Sequence, residues 1–164
     1  MSLNVTLLKQ TFAKIRVRPQ TFTTSFYNNL FKEHSDVKIL FALADMKKQK
    51  EHLMNALMLI VDNLERPDVL KEALKRLGKR HVNYGALVED YPLIGACLLK
   101  TMESFFGKDW TPEVQQAWIE AYGAIASIML EGAKERSSRS SSKVITSSDI
   151  NNENGSKAIP IAKP

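Results

Sequence analysis

The chain has 164 residues, 44% hydrophobic and 25% charged, with 23 Lys and Arg against 18 Asp and Glu and a formal net charge of +5. That length suits one compact domain with an appendage; a lone Cys97 excludes a disulfide scaffold and, with three His, a structural zinc site. No apolar run reaches the ~18–20 residues that cross a bilayer, and Lys14, Arg16 and Arg18 stand where a signal peptide would be apolar, so the expectation is a soluble protein of a reducing cytoplasm.

Seven Gly and six Pro, several of them at punctuation points, predict a mostly helical body. Val5, Leu8, Phe12 and Ile15 step by three and four along one helix face, and Phe22, Phe26 and Leu30 do so after Pro19. A turn at residues 33–36 leads into Val37, Ile39, Leu40 and Phe41. The next stripe, Leu53, Leu57, Ile60 and Leu64, is read as closed by Pro67, and another, Leu70, Leu74, Leu77 and His81, as stopped near Gly85. Asp90 before Pro92 reads as a cap opening a helix with Ile94, Leu98, Met102 and Phe105 inward, ended by Gly107. Thr111-Pro112-Glu113 is the strongest start signal, opening a helix that carries Val114, Trp118, Ile125 and Ile128 or Met129. From Arg136 the spacing is lost. Residues 136–164 contain eight Ser and hold five basic residues against Asp149 and Glu153, and are read as a disordered Ser-rich basic tail after a domain of residues 1–135.

His81 is the most informative residue, because a titratable ring occupies the core-facing row of an aliphatic stripe. Two roles fit: a hydrogen-bonded core histidine, or a haem-iron ligand whose neutral imidazole binds through Nε2 while the other nitrogen donates to a carbonyl. Gln49, His52 and Leu53 share one helical face at i, i+3 and i+4. Tyr27 lies beside Phe26 on an earlier apolar helix. A Tyr hydroxyl and a Gln amide converging on an apolar pocket could donate to a diatomic ligand carrying partial negative charge. They fit equally a solvated Gln in a Lys-rich first turn and a Tyr at the core edge. Cys97 reads as a buried small hydrophobe, and His34 as an exposed turn residue.

Five runs occur in order: Phe26-Tyr27-x-x-Leu30-Phe31; Leu40-Phe41; Leu77-Gly78-x-Arg80-His81-x-x-Tyr84-Gly85; Asp90-Tyr91-Pro92-x-x-Gly95-x-x-Leu98-Leu99; and Ala117-Trp118-x-x-Ala121-Tyr122-Gly123. Together they resemble a bacterial single-domain globin, similar to the globin domain of flavohaemoglobins and to the Hell's Gate type of neuroglobin-like bacterial globins. The likeness covers roughly residues 3–133. It implies an all-α globin fold, a three-over-three helical sandwich, holding haem b with His81 as proximal iron ligand. It further implies Tyr27 as the distal tyrosine, Gln49 as the distal glutamine, Phe41 packed on the porphyrin, and Leu53, Leu57, Ile94 and Leu98 on the pocket wall.

The same resemblance makes Tyr91 the proximal tyrosine that flavohaemoglobins pair with a carboxylate, for which Glu131 is the nearest candidate. Arg80 would pair with a propionate, and His52 stands where some truncated globins supply a sixth iron ligand. The implied function is reversible binding of dioxygen, and of nitric oxide or carbon monoxide. Nitric oxide dioxygenase turnover would need an external reductase, because no flavin or nicotinamide domain is present in these 164 residues. The competing expectation is a sensor or regulatory module signalling through the tail, where Arg136-Ser-Ser-Arg139 suits phosphorylation. Nucleic acid is not an expected partner, since the tail lacks aromatic residues for base stacking.

Overall fold

A computed structural model describes the backbone of residues 2–140 and the side chains of residues 2–135. Seven α-helices and no strand are found among the described residues: α1 (Val5–Val17), α2 (Pro19–Glu33), α3 (Ser35–Leu40), α4 (Met46–Asp62), α5 (Pro67–Asn83), α6 (Asp90–Phe106) and α7 (Pro112–Ser140). One 3₁₀ turn, Gly107–Asp109, joins the last two. They pack as the expected three-over-three sandwich, with α5 lying along α7 and α2 against α6, α3 and α4.

The start signals work by satisfying or removing the orphan N–H groups of a first turn. Asn4 accepts from the Leu7 N–H at 3.1 Å, and Asp45 accepts from the Lys47 and Lys48 N–H groups at 3.0 and 3.3 Å. Pro19, Pro67 and Pro112 each open a helix, where a missing N–H costs nothing. Pro67 therefore begins α5 and does not end α4, which stops five residues earlier at Asp62. Asp90 also departs from the expected cap. It is the first residue of α6, after Glu89, and its carboxylate accepts from the Leu87 N–H at 2.8 Å, closing the loop behind it. Gly85 and Gly107 have φ of 84° and 55° after α5 and α6, a region that glycine enters without steric cost.

The predicted stripes form the core, with Leu8, Phe12, Ile15, Phe22, Phe26, Leu30, Leu74 and Met102 all but sealed from solvent. Ile39 does not join them and is 75% exposed, because α3 is short and buries only Val37. Trp118 reaches across from α7, its Nε1 donating to Thr11 Oγ1 at 3.0 Å. The α5–α7 contact is close enough to demand glycine on both sides. A Cβ on Gly78 would fall 1.9 Å from the Met129 carbonyl oxygen, and one on Gly132 would fall 2.3 Å from that of Lys75. Helix α7 continues through Ser140, and the rest of the predicted tail, 141–164, lies outside the described residues. No helix among the described residues is long and apolar enough to cross a membrane.

Candidate functional site

Every helix from α2 to α7 contributes to one interior cavity with about 140 Å³ of free volume. Its walls are almost wholly apolar: Leu53 and Leu57 from α4, Phe41 after α3, Ile94 and Leu98 from α6, and Trp118 from α7 among them. Into this surface α5 delivers His81, a buried ring on the row of Leu77. The neighbouring close packing has a direct bearing on it: Gly78, three residues earlier, lets α5 press against α7 and so sets how deep that row sits.

His81 is held by its own helix. Nδ1 lies 2.8 Å from the Leu77 carbonyl oxygen. A carbonyl can only accept, so Nδ1 carries the proton and the lone pair stands on Nε2. Burial, with the Arg80 guanidinium adding to it, holds the imidazole below its ordinary pKa, although the Leu77 contact opposes the shift. The ring is therefore neutral and oriented, with an unshared pair on Nε2, at the wall of an apolar space. Tyr91, also on the cavity wall, has its ring centroid 6.4 Å from that of His81. The Tyr91 carbonyl accepts from Tyr122 Oη at 2.5 Å, and Tyr122 lies over Gly95, where any Cβ would strike its ring. The Tyr122 anchoring was not singled out in the sequence; the small residue at 95 facing an aromatic was its trace.

Tyr27 and Gln49 form a second polar feature, a buried pair in which Gln49 Nε2 donates to Tyr27 Oη at 3.2 Å. Neither is among the cavity-lining residues. They stand behind Phe41, whose ring meets Tyr27 edge-on at 5.9 Å between centroids, while Phe26 and Phe31 close the cage. Burial raises the Tyr27 hydroxyl well above its usual range, so it keeps its proton. Accepting from Gln49 leaves that proton to be donated elsewhere.

Of the remaining residues expected at the site, Phe41, Leu53, Leu57, Ile94 and Leu98 line the cavity and Arg80 and His52 do not. Arg80 is half-buried, and its Nε is sealed from solvent without a hydrogen-bond partner among the described residues. His52 is half-buried on α4. Glu131 is on the outside: it is exposed and pairs with Lys75 at 3.4 Å, so it supplies no carboxylate behind His81, whose Nδ1 uses the Leu77 carbonyl.

The family model for globins matches residues 24–129, a span that includes the cavity and His81. The chain belongs to the globin family. It is 30% identical to a Bacillus subtilis flavohemoprotein over 124 residues, 74% of this chain and 31% of that protein, and 32% identical to a Pseudomonas putida flavohemoprotein over 132 residues, 79% of this chain and 33% of that one. This globin thus spans about a third of the length of the flavohemoproteins it matches. Among solved structures, a bacterial globin from Campylobacter jejuni superposes with a TM-score of 0.71 at 25% identity, covering 82% of this chain and 96% of that one. An engineered carbene transferase from a candidate nitric oxide dioxygenase of Rhodothermus marinus gives 0.73 at 23% identity, covering 84% and 95%, and shares the fold.

Globins and flavohemoproteins bind haem, and the residues present suit such a group. The cavity offers apolar walls on α4, α6 and α7, and one neutral imidazole with its lone pair on Nε2. Arg80, with a buried Nε lacking a partner among the described residues, stands next to that imidazole in sequence.

Proposed function

We propose that this globin holds haem b through His81 and binds dioxygen and related diatomic gases reversibly. When bound, the haem supplies an iron with one position for His81 and another for a gas. The observation that supports this reading best is the His81 arrangement: a buried imidazole whose Nδ1 meets the Leu77 carbonyl, leaving the lone pair on Nε2, in a cavity with largely apolar walls. Leu53, Leu57, Ile94 and Leu98 keep water from the site. Phe41 packs against the bound group, and Arg80 offers its charge to a carboxylate of it. Tyr27, its hydroxyl proton retained by burial and its oxygen held by Gln49, is the donor that favours a ligand carrying partial negative charge over a neutral one.

In this reading nitric oxide turnover requires electrons supplied from outside the globin domain, which matches about a third of the length of its flavohemoprotein relatives. The buried free Cys97 fits residence in the reducing cytoplasm.

The test is a spectrum. Purified protein, reduced and exposed to carbon monoxide, is expected to show a Soret band that shifts, and His81→Ala to lose the five-coordinate signature that added imidazole restores. A colourless protein that does not take up added haem would overturn the reading.

A further inference from the structure

A second hollow lies on the outer surface, between the end of α5, the loop that follows it and the last described turns of α7. It is bordered by Val82, Ala86, Val88, Tyr91, Leu130 and Ala133, with Lys134 at its rim, and has about 170 Å³ of free volume. A hollow of roughly 150 Å³ holds a molecule the size of benzene. The surface around it is unusually apolar for a solvated loop: Val88 is 61% exposed, Leu87 62% and Val82 39%. Exposed apolar residues scattered singly need no explanation, but three within seven residues beside a groove do.

The chain carries a segment able to cover it. Beyond Ser140 lie 24 residues, and their longest run without a polar side chain is Ala158-Ile159-Pro160-Ile161-Ala162. Pro160 fixes φ and has no N–H to strand on an apolar surface, so the run is biased toward an extended form. In an extended chain the residues at i and i+2 project to one side, which puts Ile159 and Ile161 on the same face.

The reach is sufficient. Leu130, Ala133 and Lys134 are wall and rim of the groove, and they lie on the same helix that leads into the 24 residues. At a helical rise of about 1.5 Å per residue, Lys134 is only about 9 Å from the end of α7. Seventeen residues separate Ser140 from Ala158, a length that as a random coil has a mean span of roughly 20–25 Å, enough to let Ile159 return to the groove at an effective concentration of about millimolar. Lys134 is exposed at the rim, and Glu153, five residues before Ala158, is a carboxylate that can approach it.

We infer that Ala158–Ala162 docks in the groove formed by Val82, Val88, Tyr91, Leu130 and Ala133. The segment then covers the outer edge of Tyr91, which also lines the interior cavity with its ring 6.4 Å from His81. The tail is in that case an internal partner of the domain, one side chain removed from the proximal histidine.

Methyl and amide NMR on the full chain tests this. Cross-relaxation is expected between Ile159 or Ile161 methyls and those of Val88 or Leu130, with the amides of Ala158, Ile159, Ile161 and Ala162 exchanging about tenfold or more slower than an unstructured peptide. The full-length double variant Ile159→Asp with Ile161→Asp should shift the Val82, Val88 and Leu130 methyls and leave those of Leu8 and Ile15, which do not border the groove, unmoved. Leu130→Glu, made on the groove side, should release the same tail amides. Tail amides at their unstructured rates, with groove methyls identical in parent and double variant, would overturn the inference. Groove shifts that vanish on dilution would also overturn it, since a second copy would then be the occupant.

Discussion

The Tyr27 hydroxyl is surrounded by the rings of Phe26, Phe31 and Phe41 and receives a hydrogen bond from Gln49, so its proton is left for another acceptor, which in the proposed function is a ligand reached past Phe41. A hydrogen bond to a charged partner contributes about 1.5–3 kcal/mol, which converts to a roughly 10–100-fold effect on release. Tyr27→Phe should therefore speed dioxygen dissociation by one to two orders of magnitude while changing carbon monoxide release far less; stopped-flow displacement reads both, and an unchanged oxygen rate would remove Tyr27 from the mechanism. Cys97 makes the opposite case, a chemically capable group with no role in the site. Burial, with the Glu33 carboxylate adding, pushes its thiol up to about 11 from an ordinary 9.0. Below pH 9 both folded and unfolded chains hold that proton. Between pH 9 and 11 the unfolded chain loses it first, so stability falls as pH rises through that window. Urea midpoints across pH 8–10 should show the decline, and Cys97→Ala should flatten it there, whereas above pH 10 the buried Tyr27 and Tyr122 hydroxyls add their own loss. His81 on an aliphatic stripe and Tyr27 beside Phe26 already stood out in the sequence. Their partners did not. The Leu77 carbonyl, the Gln49–Tyr27 bond and the Lys75 that occupies Glu131 depend on side-chain directions that spacing alone leaves open.

Helices were legible as long as one face had to be buried, and their ends less so. Proline at a first helical position is the same letter whether it is taken to finish one helix or begin the next, which is why Pro67 belongs to α5 and not to α4. Asp90 could cap forward or accept from the loop behind, and the six-residue loop with positive-φ Gly85 decides for the second. Inter-helix distance was not legible at all, yet it is the element-scale property that positions His81. Two glycines of α7 test it. Gly132→Ala places a Cβ 2.3 Å from the Lys75 carbonyl oxygen in a helix that cannot bend away, and overpacking of this kind costs about 1–3 kcal/mol or more. Gly123→Ala meets nothing within 4 Å and removes a flexible residue from a helix interior, worth a gain of roughly 0.5–1 kcal/mol. Chemical denaturation of the two variants should therefore move in opposite directions from the parent. Equal small losses would mean that the α5–α7 spacing adapts and that glycine is not what holds the two helices together.

At the scale of the whole molecule, the net charge of +5 says little about the fold. The ion pairs of the described residues, such as Lys14–Asp109 at 2.6 Å and Lys75–Glu135 at 2.8 Å, have at least one exposed partner and contribute little in salt. Stability is organised instead around two apolar regions of different dependence. One is filled by the chain itself: Leu8, Phe12 and Ile15 of α1 pack with Trp118 of α7 and need no ligand. The other is the interior cavity, to which α1 contributes nothing and α4 contributes Leu53, Leu57, Ile60 and Val61, most of its buried residues. A group bound there stabilises the folded state by mass action, by about 4 kcal/mol at a thousand times its dissociation constant. Its removal should be felt unevenly. In haem-free protein, amide exchange should quicken most in α3 and α4, which lose the surface they pack on, and least in α1, which lines no part of the cavity. Helix α5 should fall between, because it stays pressed on α7 at Gly78 and Lys75 even when the space before His81 is empty. Hydrogen exchange on matched haem-loaded and haem-free samples measures the ranking directly. A uniform increase across all helices would show that the two regions unfold as one unit, and that the cavity is not an independent seat of stability.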